Sequence, residues 1–306
     1  MFFLETEGQE IAKFCASTKK SLNFRKHHHQ IYMKGYLFLI TVILLSACKS
    51  TFKSTTEEAV FVSERQYPAR VKQVEVDPLG SVYLLDKINK LTRYNTINNT
   101  KTEYVDNRLG NIDDFDPRNP LSIMVFFRQY GIIKFLDNTL SPIKVIALQE
   151  NEAFQNVSAA CTTNDNKLWL FEENQQRFYK VGDNLEVIAE TNRLSDLGLQ
   201  KIQVVKMREN NNKLVVLIKN EGLFVFDNFG QFQKKIKTDL YTDFQFVEDN
   251  IIQFENCQAN VIPISNPLQL PQSDELCTMN SGAKSARKLK QGWLLSYDDG
   301  VDYLFK

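Results

Sequence analysis

Three properties of the sequence predict an all-β fold. Short runs of β-branched and aromatic residues recur along the chain, separated by Asn, Asp, Gly and Pro. No amphipathic helical period of three or more turns is present. The third property is repetition: strand–turn–strand cores return at intervals of roughly 40–45 residues. Four antiparallel strands per repeat, arranged radially, make a β-propeller, here with six blades. A pair of β-sandwiches is the alternative architecture, and it would not produce such even spacing.

The units follow one another in order. The first reads as strands over 71–76, 82–86, 90–94 and 103–105. The second pairs 121–127 with 132–137 behind a strand at 111–115, and the third pairs 167–172 with 177–181 behind 156–160. The fourth runs 202–207, 214–218, 223–227 and 232–236. The fifth pairs 251–255 with 260–264 behind 243–247, and the sixth pairs 293–297 with 301–305 behind 286–289. No fourth strand follows that last core. The strand-like run 59–65 stands alone before the first unit, so it is expected to supply the outer strand of the sixth blade and close the ring.

Residues 77–94 resemble the NHL repeat of six-bladed propellers, whose core is Asp-x-x-Gly-x-hydrophobic-Tyr-hydrophobic-x-Asp followed by a basic-x-hydrophobic strand. Asp77, Gly80, Val82, Tyr83, Leu84 and Asp86 occupy those positions. Residues 116–137 and 222–230 resemble stretches of propeller lipoproteins from Bacteroidota-type bacteria. The resemblance implies a fold and a cell-envelope address, and no particular activity.

The segment 33–47 reads as a lipoprotein signal peptide. Met33-Lys34-Gly35-Tyr36 is a short positive region, and 37–45 is an apolar run too short for the ~20 residues of a membrane-crossing helix. Leu45-Ser46-Ala47-Cys48 resembles the lipobox of bacterial lipoproteins, with cleavage between Ala47 and Cys48 and lipid, palmitate included, on Cys48. Two or three acyl chains anchor stably where one does not. Residues 1–32 are read as a start-site artefact or disordered extension, 48–58 as a flexible tether and 59–306 as the propeller.

Composition narrows the chemistry. All three histidines lie at 27–29, ahead of the cleavage site, so the mature chain lacks the usual general base and transition-metal ligand. Removing 1–47 takes six Lys/Arg and three Asp/Glu from the balanced 37 and 37, leaving a near-neutral domain without the basic footprint of a nucleic-acid binder. No cofactor, metal or nucleic acid is expected. Three cysteines remain besides Cys48. Cys257 and Cys277 are candidates for one disulfide, with isolated thiols as the alternative, and Cys161 reads as an apolar core residue.

Asp86, Asp137, Glu172, Asp227, Glu255 and Asp298 each close a hydrophobic run. They are expected at one equivalent place, capping backbone N–H groups of the hairpin between second and third strands, rather than forming a cation-binding ring. Asp113-Asp114-x-Asp116 lacks the spacing and glycine of a calcium loop. Among the clustered aromatics, Phe229 and Tyr241 fall in loops and are candidates for a partner surface, while alternate neighbours line the core. The expectation is therefore a non-enzymatic, lipid-anchored binding or scaffold module for an envelope protein partner, on the outer membrane, accessory to an assembly or secretion complex. The alternative is a carbohydrate-binding protein, or a hydrolase or lyase using carboxylates at the channel.

Overall fold

A strand covered on both faces needs a continuous apolar run rather than an alternating one. The sequence supplies such runs as Val82-Tyr83-Leu84-Leu85, Ile123-Met124-Val125-Phe126-Phe127 and Leu168-Trp169-Leu170-Phe171, and in the structure every residue of them is buried. The computed structural model describes residues 65–68, 70–238, 242–265, 272–277 and 281–304. The export signal, the tether, residues 59–64 and Tyr241 lie outside the described residues.

The strands form six four-stranded antiparallel sheets. Strand β1 (Arg65–Pro68) comes first in the chain but belongs to the last sheet. Blade 1 is β2 (Val71–Val76), β3 (Val82–Asp86), β4 (Leu91–Asn95) and β5 (Thr100–Tyr104). Blade 2 is β6 (Asp114–Asp116), β7 (Ile123–Phe127), β8 (Ile132–Leu136) and β9 (Pro142–Ala147). Blade 3 is β10 (Val157–Thr162), β11 (Leu168–Glu172), β12 (Arg177–Val181) and β13 (Val187–Glu190). Blade 4 is β14 (Val204–Asn210), β15 (Lys213–Ile218), β16 (Gly222–Asp227) and β17 (Phe232–Ile236). Blade 5 is β18 (Gln245–Val247), β19 (Asn250–Glu255), β20 (Gln258–Pro263) and β21 (Gln272–Glu275). Blade 6 is β22 (Ser285–Lys288), β23 (Trp293–Tyr297) and β24 (Gly300–Leu304), completed by β1.

The fold is thus the expected six-bladed propeller with an N-terminal strand closing the last blade. The closing strand shares only Arg65 with the expected run 59–65 and continues to Pro68; Arg65 pairs with Asp302, and Pro68 pairs with Gly300. Six apolar clusters occupy the six seams between neighbouring blades. That placement explains the burial of the central strands on both faces. The seam between blades 3 and 4 is the most aromatic, with Trp169, Phe171 and Phe178 against Phe224 and Phe226. There Gly230, at φ +82°, lies so close to the Glu190 carbonyl oxygen that a Cβ would sit 2.5 Å from it.

Each first strand runs from one face of the ring, here called the front, to the back. Turns between first and second strands, and between third and fourth, therefore lie on the back face. Those between second and third strands lie on the front. Among the described residues no helix is long and apolar enough to cross a membrane.

Candidate functional site

The first strands of the blades surround the axis, and their central residues, Val74, Phe115, Ala160, Met207 and Ala286, pair with the middle of the second strands. The residues on either side lie on the opposite face of each strand, as the pleat requires. They include Gln73 and Glu75 of blade 1, Asp114 of blade 2, Lys206 and Arg208 of blade 4, and Arg287 of blade 6. Asp243 joins them from just before β18 of blade 5. Blade 3 offers only the small Ala159 and the buried Cys161 at the corresponding positions.

These charges bind one another across the axis. Glu75 accepts from Lys206 Nζ at 2.6 Å and from Arg287 Nε at 3.1 Å, with Arg208 at 3.5 Å. Blades 1 and 4 stand opposite each other in a ring of six, so the Glu75–Lys206 pair spans the channel. Asp114 holds Arg208 with both oxygens, at 2.6 and 2.9 Å, and Asp243 bridges Lys206 at 2.6 Å and Arg287. Arg208 also donates to the carbonyls of Met207 and Phe115, and Gln73 donates to Asp114 at 2.9 Å.

Three carboxylates thus neutralise three cations. Burial on its own would push the Glu75 carboxyl up, but Arg287, Lys206 and Arg208 overcome it and hold that carboxyl below the ordinary range. Asp243 is held down against burial by Arg287 and Lys206 in the same way. Buried Arg208 is held charged by Asp114. A general acid or base works best with a pKa near the working pH, and the network moves Glu75 and Asp243 the other way.

The network floors a cavity of about 290 Å³ at the front mouth of the channel. Val71, Lys72, Asp113, Lys206, Asp243 and Tyr297 help line it. At the back of the seam between blades 3 and 4, Glu209 behaves differently from Glu75, accepting from Asn164 N with one oxygen. Burial pushes its carboxyl up, and Oε2 has no hydrogen-bond partner, with Lys180 Nζ 4.0 Å away.

No protein-family model and no curated protein sequence matches the chain. Solved structures do resemble it. A streptogramin B lyase aligns over 78% of this chain and 84% of its own, with a TM-score of 0.53 at 11% identity. A catalytically inactive virginiamycin B lyase from Staphylococcus aureus with quinupristin aligns over 78% and 81%, with a TM-score of 0.53 at 12% identity. What is shared is the propeller fold. At such identity the likeness speaks for the fold alone.

The residues singled out from sequence are scattered. Ala47, Cys48 and Tyr241 lie outside the described residues. Phe229 is 71% exposed at the tip of the turn between β16 and β17. Cys257 and Cys277 are joined in a disulfide, with Cα atoms 4.9 Å apart, in the seam between blades 5 and 6. Cys161 is fully buried, which pushes its thiol up and leaves it unreactive.

The expected equivalence of the six acidic residues does not hold. Asp86 and Glu172 do cap the hairpin between second and third strands, accepting from Lys90 N at 2.8 Å and Gln175 N at 2.6 Å. Asp137 and Asp227 instead end the third strand and cap the turn to the fourth, accepting from Ser141 N and Gln231 N, each at 2.9 Å. A capping carboxylate is useful at either turn, so its place in a run does not identify the strand. Asp298 pairs with Lys284 and Lys87, and Glu255 ends β19 exposed.

Asp113, Asp114 and Asp116 also diverge. Asp113 accepts from Arg128 N, Asp114 faces the axis, and Asp116 holds Thr162 and Arg118. The axial network itself was not singled out. Its signal was a charged residue near the middle of several first strands, which in isolation reads as an ordinary solvent-facing alternation.

Apolar side chains are left exposed along the outer edges of three consecutive blades. They are Ile143 and Val145 on β9, Val187 and Ile188 on β13, and Phe229 and Phe232 around the start of β17. The Gly230 contact with Glu190 sets the blade 4 turn directly against the end of β13.

Proposed function

We propose that this protein is a non-catalytic binding or scaffold module, anchored in the cell envelope by lipid on Cys48, whose outer edge over blades 2–4 receives a protein partner. The observation that carries this reading is the pairing of Glu75, Asp114 and Asp243 with Lys206, Arg208 and Arg287 across the axis. The position where a propeller could place reactive carboxylates is occupied by ion pairs that hold the ring together. The edge, by contrast, leaves Ile143, Val145, Val187, Ile188 and Phe229 half or more exposed, and such a patch with a polar surround is what a protein interface requires.

The address rests on the lipobox at 45–48, and the Cys257–Cys277 disulfide suits an oxidising, extracytoplasmic compartment. Outer-membrane sorting and an accessory role in an assembly or secretion complex belong to the same proposal. The test is purification of the full chain from detergent-solubilised envelope, beside its Cys48→Ala variant. Wild-type protein should carry lipid, sediment with membranes and retain a stoichiometric protein partner. The variant should accumulate as a longer, unacylated precursor. Normal processing and membrane retention of the variant would refute the anchor, and recovery of the wild type without a partner would refute the scaffold role.

A further inference from the structure

The topology of the closing strand fixes the face of the propeller from which the preceding chain comes. Strand β24 is the third strand of blade 6 and runs from front to back. Strand β1 is antiparallel to it, with Arg65 opposite Asp302 and Pro68 opposite Gly300. It therefore begins toward the back and ends at the front, where Val71 starts the first blade. Any tether N-terminal to Arg65 enters the ring at the back of blade 6. Seventeen positions separate Cys48 from Arg65, a reach of at most about 60 Å when fully extended.

The back face next to this entry point carries apolar residues at its turn tips. In blade 1, Leu79 lies between β2 and β3 and Ile97 between β4 and β5. In blade 2, Leu121 lies between β6 and β7. They are 55%, 79% and 67% exposed. Each is held outward by a side chain two residues earlier. Asp77 accepts from Leu79 N at 2.9 Å, Asn95 from Ile97 N at 3.0 Å and Asn119 from Leu121 N at 3.1 Å. Blade 1 adjoins blade 6 through the seam of Val74, Leu84, Leu294 and Val301, so Leu79 and Ile97 stand on the blade beside the point where the chain enters, with Leu121 one blade further round. The polar cavity of the channel opens on the other face.

We propose that the back face is a membrane-docking surface, with Leu79, Ile97 and Leu121 seated in the headgroup–acyl boundary of the lipid bilayer. This inference rests on the anchoring of Cys48. Two or more acyl chains hold the domain on the membrane, and three apolar tips on the face from which the chain enters then convert a tethered domain into an oriented one. Apolar side chains at this depth bury area in the interface without crossing the bilayer. Docked this way, the propeller turns the front cavity away from the membrane and leaves strands β9 and β13, at the outer edges of blades 2 and 3, lateral and accessible, with Phe229 on the back rim of blade 4.

The test uses the acylated full chain, reconstituted in vesicles of phosphatidylethanolamine and phosphatidylglycerol that contain a nitroxide-labelled lipid. An environment-sensitive dye is attached to one added cysteine at a time. Leu79→Cys, Ile97→Cys and Leu121→Cys report the back face, while Ile88→Cys and Tyr130→Cys report apolar tips of the front. The native thiols do not interfere, because Cys161 is buried, Cys257 is bonded to Cys277, and in the processed, acylated chain Cys48 carries lipid and Cys15 has been removed. Flotation with the vesicles reads the anchor, and quenching reads the orientation. The proposal expects flotation, with most emission lost at the three back positions and retained at the two front ones. Flotation with equal, front-sided or absent quenching overturns the docking while leaving the anchor standing. Failure of the wild-type chain to float overturns both.

Discussion

The axis and the outer edge of this propeller use their side chains in opposite ways. At the axis, charged residues are buried and fully engaged with one another, as Glu75, Lys206, Asp243 and Arg287 show. At the edge, apolar residues such as Ile143, Ile188 and Phe229 are left in solvent. Each region inverts the usual partition of polar outside and apolar inside. The inversion at the axis is structural, because blades narrow toward the centre and six short strands must be bridged by long side chains that reach across. The inversion at the edge has no such explanation within the fold. Under the proposed binding role, the charge cluster of the channel holds the ring together and the exposed edge receives the partner.

The largest effect should come from breaking the axis. Arg287→Met removes one of three cations around Glu75 and leaves Asp243 with Lys206, and loss of one partner from a buried network costs about 3–5 kcal/mol. Chemical denaturation at pH 7 should show that loss. The pH dependence sharpens the assignment. Glu75 and Asp243 have carboxyls held below their unfolded values, so the stability they contribute is complete above the unfolded pKa of about 4 and is lost as pH falls below it. Wild-type stability should be level from neutral pH to that point and then fall. In the Arg287→Met variant the Glu75 carboxyl rises toward its unfolded value, and the acid fall should be shallower. An unchanged acid slope would show that other carboxylates govern it.

A smaller loss is expected where the periphery is held covalently. The disulfide joins Cys257, in the turn between β19 and β20, to the segment following β21, 20 residues along the chain. Leu276, Ala286 and Trp293 pack around it. Closing a loop of this size stabilises by about 2–4 kcal/mol. The Cys257→Ser/Cys277→Ser variant should lose that amount, and reductant should produce the same loss in the wild type and none in the variant. Its acid slope should match the wild type, since no axial carboxylate is touched.

The fold was readable because propeller blades write the same pattern repeatedly. Leu214–Ile218 and Ile123–Phe127 are apolar throughout since a neighbouring blade covers each face, and Gly, Asn and Asp mark the turns between them. Even the ring closure followed from an unpaired strand at one end and a missing one at the other. The site was less legible. Glu75 sits in Val-Glu-Val and Lys206 in Val-Lys-Met, patterns that a half-exposed strand would also produce. Their pairing across the ring depends on blades 131 residues apart in the chain, which no local pattern encodes. Asp137 and Asp86 were confused for a related reason, because the same Asp-led turn closes either a second or a third strand.

The smallest effect on stability and the largest on binding should come from the edge. Phe229 is 71% exposed, so Phe229→Ser should change stability by no more than about 0.5 kcal/mol, as is usual for surface positions. Paired with Ile188→Ser, it removes two apolar side chains from neighbouring blades of the strip. If the strip is the partner surface, the double variant should melt like the wild type, remain acylated, and recover far less partner from solubilised envelope. Anchor residues of an interface each account for about 1 kcal/mol or more, so retention should fall at least tenfold when two are lost. Recovery at the wild-type level would move the interface away from blades 3 and 4, toward the front face and its cavity. It would also undo the contrast between an axis that holds the ring and an edge that binds.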